Sequence, residues 1–400
     1  METQTIVMTS TFYPPYHIGG DAMHVKYLAE ALAQEGHEVH VLHSIDAYRL
    51  KNGAGRQAME ETAVNIHQVE TAVGRLSPVL AYVTGRNRNA ERALERIIKE
   101  ERPSLIHHHN ISLLGIEMLR IGRVPKLYTA HDYWLLCQRS DLMYKGKDIC
   151  EQRKCLRCSF SSMRPYQYWR SKMLSGAIHD VDRIIAPSEF MAHLLESRLG
   201  ANSVVIRNFV PRLDDMETAP TERRHFVYAS VLERHKGLDL LLESFNYRRL
   251  NSELHIIGSG SLEPLVKRSE KETGGKVKYL GFKPHREAMI EIASSLCLVM
   301  PSNCNENSPL SCIEALSLGR PLVVSRMGGL PELVRDPECG IECYLTPDSL
   351  SAALETIESD DTLRRKLSEN AMVKYAKQHT QERYLSTYMK LVEEVLCNAS

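Results

Sequence analysis

At 400 residues the chain exceeds what one hydrophobic core ordinarily serves, so two domains are expected. Fifty basic and fifty acidic residues cancel, which argues against a broad cationic face for nucleic acid. Its 43% hydrophobic and 25% charged residues are those of a globular rather than a disordered chain. No apolar run approaches the roughly 18 residues needed to span a bilayer. The opening Met1-Glu2-Thr3-Gln4 has no basic region, so a secretory leader is not expected and a cytoplasmic location is.

Taken in chain order, strand and helix signals alternate. Residues 5–8 read as a first strand. The pair Gly19 and Gly20 then precedes a helix over 21–34, where Met23, Tyr27, Leu28, Ala31 and Leu32 recur at helical spacing. Gly36 stops that helix and 38–43 is the second strand. Further strands are expected at 105–107, 126–129, 184–186 and 204–206, with helices at 90–100 and 189–198. Periodicity stops over 211–224, a charged stretch with two prolines that reads as an interdomain linker. Alternation resumes with strands at 225–229, 253–257, 277–280, 297–300 and 321–325. A final amphipathic helix covers 382–396, with Tyr384, Tyr388, Leu391 and Val395 on one side. This order predicts an α/β chain of two parallel-sheet domains, 1–210 and 225–381. The helix in 382–400 is expected to return toward the first domain. Open sheets of this kind bind ligands outside the carboxyl ends of their strands, so both domains are expected to address one cleft.

The most informative segment runs from Pro301 to Pro321. An apolar strand enters a polar loop carrying Glu306, and a helix carrying Glu314 begins near Pro309. The first amides of that helix lack intrahelical partners and its dipole is positive there, which suits a diphosphate. Carboxylates accept paired hydrogen bonds from a vicinal diol, which suits sugar hydroxyls. Gly319 then stops the helix, and the pair Gly328 and Gly329 opens another with Glu332 in its first turn.

In the first half, Gly19 and Gly20 permit close backbone approach to a phosphate or sugar at a helix start. His131 and Asp132 follow a strand, at the end where cleft residues sit. His107 and His109 alternate onto one side of another strand end. Cys137, Cys150, Cys155 and Cys158 form C-x12-C-x4-C-x2-C. Four thiolates around a C-x2-C suit a tetrahedral structural zinc; unliganded thiols and redox chemistry are the other readings. The remaining six cysteines, Cys297, Cys304, Cys312, Cys339, Cys343 and Cys397, read as small buried hydrophobes. The stretch 163–172 is basic and aromatic. It reads either as a solvated helix face with aromatics packed inward, or as a contact with a membrane surface and a lipid-linked acceptor.

The run from Pro301 to Val334 closely resembles the nucleotide-sugar segment of retaining glycosyltransferases of the GT-B fold, in family 4. A second resemblance lies at Ser230 to Phe245, where that family shows Gly-Arg-Leu, three residues, then Lys-Gly. The resemblance implies two Rossmann-like domains facing each other across a cleft. It implies transfer from a nucleoside diphosphate sugar, foremost of uridine or guanosine, to a hydroxyl acceptor of a glycan, polysaccharide or glycolipid. No cofactor is required for that catalysis. It further implies that Glu306 contacts donor-sugar hydroxyls, Glu314 grips the ribose diol, and Lys236 clamps the diphosphate. The backbone of Asn307, Ser308, Pro309 and Leu310 lies against sugar or phosphate in that scheme. Gly19 and Gly20 flank donor and acceptor, and His131 orients the sugar or stabilises charge. One departure stands out: Val231 and Ser230 occupy the family's arginine and glycine positions. Two rival readings stand beside this one, a nucleotide-sugar epimerase on the same architecture and a catalytically silent, metal-bearing binding partner.

Overall fold

The computed structural model describes residues 3–52, 62–146, 148–151, 153–212, 224–247 and 250–399. Most of the expected linker, 213–223, lies outside them. The chain divides into two compact units, Met1–Arg207 with Tyr384–Ser400, and Asn208–Arg383.

Unit 1 begins with β1 (Thr5–Thr9), α1 (Gly20–Gln34), β2 (Glu38–Ser44), α2 (Ile45–Asn52) and β3 (Asn65–Val69). It continues through α3 (Leu76–Thr84), α4 (Arg88–Glu101), β4 (Leu105–His108) and β5 (Lys126–Thr129). A small hairpin of β6 (Met143–Tyr144) and β7 (Asp148–Ile149) follows, then α5 (Cys155–Ser161) and α6 (Arg170–Ile178). The unit's first segment closes with β8 (Arg183–Ala186), α7 (Glu189–Leu199) and β9 (Ser203–Val205). Seven of these strands form one parallel sheet in the order β3-β2-β1-β4-β5-β8-β9.

Parallel strands covered on both faces need near-continuous apolar runs, and β1 supplies Ile6, Val7 and Met8, all fully buried. Val7, Leu42, Ile106 and Tyr128 share one buried cluster with Leu94 and Ile97 of α4. Helix ends follow capping chemistry. Asn87 accepts from the Ala90 amide at the start of α4 and Ser188 from the Met191 amide at the start of α7. The strand β3 escaped the sequence reading because its Asn-Ile-His-Gln-Val, on the sheet edge, alternates and is only partly buried.

Unit 2 contains β10 (His225–Ala229), α8 (Leu238–Tyr247), β11 (Glu253–Ile257), α9 (Glu263–Glu272), β12 (Val277–Gly281) and α10 (His285–Ala293). Next come β13 (Leu298–Met300), α11 (Leu310–Ser317), β14 (Leu322–Ser325), α12 (Leu330–Val334) and β15 (Gly340–Cys343). Helices α13 (Pro347–Ser359) and α14 (Asp361–Gln378) complete it. The strands form a parallel sheet in the order β12-β11-β10-β13-β14-β15. Both sheets are Rossmann-like: strand order reverses between β1 and β4 in unit 1 and between β10 and β13 in unit 2. Residues 208–212 pack on unit 2, where the Tyr375 hydroxyl donates to the Val210 carbonyl at 3.0 Å and the His379 ring to that of Asn208 at 2.8 Å.

The last helix, α15 (Gln381–Ala399), buries Tyr384, Tyr388, Leu391 and Val395. From Tyr384 onward it belongs to unit 1. Cys397 on this helix is exposed, which corrects its reading as a buried hydrophobe; the other five of that group are buried. Among the described residues no helix is long and apolar enough to cross a membrane.

Gly237 shows how tightly the loops at the carboxyl edge of unit 2 are seated. Its φ is +70°, and a Cβ there would collide with the carbonyl oxygen of Pro301. Strain and backbone displacement then add, so Gly237→Ala is expected to cost about 2–3 kcal/mol. Chemical denaturation followed by circular dichroism checks this.

Candidate active site

Three loops meet at the carboxyl edge of the unit 2 sheet. After β10 the chain forms a single 3-10 turn, Arg234–Lys236, ended by Gly237 against Pro301. After β13 it runs from Pro301 to Glu306, and the Asn303 amide donates to the His235 carbonyl at 3.1 Å. After β14 it reaches Gly328, whose backbone pairs with Glu306; a Cβ on Gly328 would strike the Glu306 carbonyl oxygen. The Gly329 amide donates to that same carbonyl at 2.7 Å. Glu306 is thus fixed through its backbone before its side chain makes any contact.

The Glu306 carboxylate is buried and its Oε1 is approached from three sides. Lys236 Nζ lies 2.6 Å away and Ser302 Oγ donates at 2.7 Å, while Cys304 Sγ is at 3.8 Å. Ser302 is held in turn by Ser325, whose hydroxyl donates to the Ser302 carbonyl at 2.6 Å. Burial alone would raise the Glu306 carboxyl. Attraction and hydrogen bonding from Lys236, with the bond from Ser302 and the field of His235, reverse this and hold it below its usual range. Burial would likewise lower Lys236, yet Glu306 lifts it above the ordinary lysine value. Both shifts have one meaning: the pair is charged.

Asn307 and Ser308 are buried beside it, and Asn208 Nδ2 donates to the Ser308 carbonyl at 3.0 Å. Pro309 caps α11 without a side-chain hydrogen bond, so the opening amides at Leu310 have no side-chain cap. Glu314 lies one turn further on, buried, with Oε1 2.8 Å from Nε2 of His285 at the start of α10. That bond raises the His285 ring above its usual value despite partial burial. Val231, at the family's arginine position, is exposed. The field of His235 reaches Glu306 instead.

In unit 1, Gly19 caps α1 at a φ of +84°, and Gly20 is the first helical residue. Asp21 follows, its Oδ2 accepting from Asn110 Nδ2 at 2.8 Å. His131 stands just past β5, with Nε2 2.9 Å from Nδ1 of His109. His107 and His109 do share a side, with ring centroids 4.0 Å apart. His107 reaches Thr129 Oγ1 at 2.8 Å and the Tyr388 hydroxyl at 3.1 Å. His24 meets the Tyr384 hydroxyl at 3.2 Å and sets its ring edge against His131. Burial pulls His131 down to about 4, against the opposing field of Asp21. Burial also lowers His24, His107 and His109. These four rings are neutral at neutral pH, which favours hydrogen bonding over charge stabilisation. Asp132 is raised by burial to about 7. The sequence reading missed His24 and Asp21, which are spread over one turn of α1 and meet His131 and Asn110 only in the fold.

Cys150 follows the β6–β7 hairpin, while Cys155 and Cys158 open α5. The Lys145 amide points at Cys158 Sγ at 3.3 Å. The groups of metal-ligating atoms brought within 4.8 Å of one another among the described residues are His225, His255 and Glu291, and Glu38, His40 and Glu101. The four thiols, Cys137 included, are not such a group.

Two predictions follow from this geometry. Removing the cation alone leaves a buried carboxylate, so Lys236→Met is expected to lose about 2–4 kcal/mol, and Lys236→Met with Glu306→Leu to regain most of it; urea denaturation of the set checks this. The second concerns pH. A folded His285 raised above 6.5 contributes stability that is complete below the unfolded value and lost as pH rises through the folded one. The melting-temperature advantage of wild type over His285→Gln is therefore expected to be full below about pH 5.5 and to shrink as pH rises past about 6.5.

Residues 18–212 match the model of Glycosyltransferase Family 4 and residues 211–374 that of Glycosyl transferases group 1. An uncharacterized glycosyltransferase of Methanocaldococcus jannaschii is 25% identical over 98% of each chain. Glycogen synthase of Mycobacterium tuberculosis is 26% identical, across 89% of this chain and 86% of that one. Sucrose-phosphate synthase from Thermosynechococcus elongatus superposes with a TM-score of 0.75 at 17% identity, covering 99% of this chain and all (100%) of that one. The Arabidopsis thaliana starch synthase IV catalytic domain bound to ADP and acarbose gives 0.70 at 14% identity, covering 99% and 100%. At such identities the structural likeness is one of fold. With the two sequence models abutting across residues 18–374, the chain belongs to the family 4, group 1 glycosyltransferases of the GT-B fold.

Proposed function

We propose that this glycosyltransferase moves a sugar from a nucleoside diphosphate donor to a hydroxyl acceptor in glycan or polysaccharide synthesis, with retention at the anomeric carbon. The charged Lys236–Glu306 pair beside the start of α11, its carboxylate buried and its ammonium half-buried, carries the reading. A desolvated ammonium is worth most against charge that develops as a diphosphate departs. In this scheme Lys236 meets the leaving diphosphate, and the opening amides of α11 after Ser308 and Pro309 add their dipole. Glu306, already ionised, orients the sugar hydroxyls, with the backbone of Asn307 to Leu310 alongside. Glu314 takes the ribose diol once His285 yields. The two glutamates then have separate tasks, unlike the paired acid and base of a hydrolase. For unit 1, the family resemblance gives Gly19, Gly20 and His131 roles toward the donor or acceptor.

Support for the donor class comes from the neighbours: the starch synthase structure holds ADP and acarbose. Retention is carried by the family resemblance of the 301–334 segment.

The test is direct. Lys236→Ala and Glu306→Gln are each expected to lower kcat/KM for transfer roughly 10²–10³-fold, while Glu314→Ala chiefly raises KM for the donor. NMR of the product should show the donor's anomeric configuration kept. An isomerised sugar nucleotide, formed from donor alone, would favour the epimerase instead.

A further inference from the structure

Helix α3 inverts the usual arrangement of an amphipathic helix. Ser77, Pro78 and Ala81 face inward, while Leu76, Val79, Leu80 and Val83, at i, i+3, i+4 and i+7, face solvent. Leu76 is 63% and Leu80 53% exposed. Nearby, α5 buries Cys158 and Ser159 and turns out Leu156 and Phe160, the latter 78% exposed. The chain beyond it displays Met163 at 94% and Tyr168 at 74% exposure.

These two apolar features are joined through Gln138. Tyr82 of α3 donates from its hydroxyl to the Gln138 carbonyl at 3.3 Å, and the Gln138 amide donates to the Cys155 carbonyl at 3.1 Å and to Ser159 Oγ. Trp169 Nε1 closes the join with a 3.1 Å bond to the Tyr82 carbonyl. Around them the exposed charges between Cys150 and Met173 are Arg153, Lys154, Arg157, Arg164 and Lys172 against Glu151 alone. Arg75 adds a cation at the head of α3. A soluble surface scatters its apolar residues and mixes its charges. This one carries large exposed apolar side chains beside charges that are, Glu151 apart, of one sign.

We propose that this face of unit 1 docks on an anionic membrane surface, with Leu76, Leu80, Phe160 and Met163 entering the interface and the cations meeting lipid headgroups. The complementarity of five cations to anionic headgroups selects a bilayer over an apolar protein partner. Both features lie on connections leaving the carboxyl ends of strands, after β3 and after β5. His131 lies on the second of these connections, just past β5. Resting on the transferase reading, this makes the acceptor an amphipathic molecule whose hydroxyl is held at the interface.

Co-sedimentation of the full chain, without donor, with phosphatidylcholine vesicles containing about one third phosphatidylglycerol tests docking separately from transfer. Binding is expected to be at least ~tenfold tighter than to phosphatidylcholine alone and to fall with salt. Phe160→Asp with Met163→Asp should weaken it at least ~tenfold and Arg157→Gln about fivefold. Melting temperature and nucleotide-induced thermal shift should stay unchanged in both variants. Equal sedimentation of wild type and the double variant would overturn the proposal. So would absence of vesicle binding together with a dimer, seen by sedimentation velocity, that the same substitutions abolish. Loss of transfer in Lys236→Ala with vesicle binding intact leaves docking standing; the reverse pattern sinks docking alone.

Discussion

The organisation of the unit 2 strand ends depends on holding a charged pair largely out of water, with Glu306 buried and Lys236 half-buried. Burying an ammonium and a carboxylate carries a desolvation penalty that only close geometry and further hydrogen bonds offset. The Lys236–Glu306 contact at 2.6 Å, the Ser302 bond and the Ser325 bond behind it form such a set. A set of this kind works only if its loops cannot drift. Gly237 against Pro301 and Gly328 against Glu306 supply that constraint, since neither place has room for a side chain. The rigid strands β10, β13 and β14 set the loop origins, and the glycines set the separation between them.

Unit 1 solves the opposite problem at its own strand ends. There the polar groups are mainly imidazoles, and burial keeps them neutral, each bonded through at least one ring nitrogen to another ring or a hydroxyl. Neutral rings both donate and accept, so the cluster holds polar atoms in a dry place without fixed charge. Tyr384 and Tyr388 of α15 complete it, which ties the end of the chain to the strand ends that open it. Charge is concentrated in one unit and hydrogen-bonding polarity in the other.

Much of this was legible in the residues. Repeated strands and helices gave two parallel sheets, and the capping glycine and proline signals placed α1 and α11 within a residue of their observed starts. The loop carrying Glu306 and the turn carrying Lys236 were picked out by their surroundings in sequence. Their direct contact was not, because 70 residues separate them and only the parallel pairing of β10 with β13 brings them together. The histidine cluster was half visible: β4 alternation put His107 and His109 on one side, but His24 arrives from α1. Weakly patterned pieces were missed. The strand β3 is half polar, and α3 carries its apolar stripe on the outer face, so periodicity alone says nothing about which way it points.

Val231 gives the sharpest constraint on any account of the site. The family pattern it resembles has an arginine there, yet this side chain is apolar and open to solvent. The field at Glu306 comes from Lys236 first and from His235 after it. A histidine in that place behaves differently from an arginine, because its ring lacks the guanidinium fork that meets a phosphate in two places. Lys236 then carries most of the fixed positive charge, and Glu306 already neutralises part of it. The amide dipoles opening α11 consequently matter more here than they would beside an arginine. They are permanent, and they lie on the same short loop as the carboxylate they must balance.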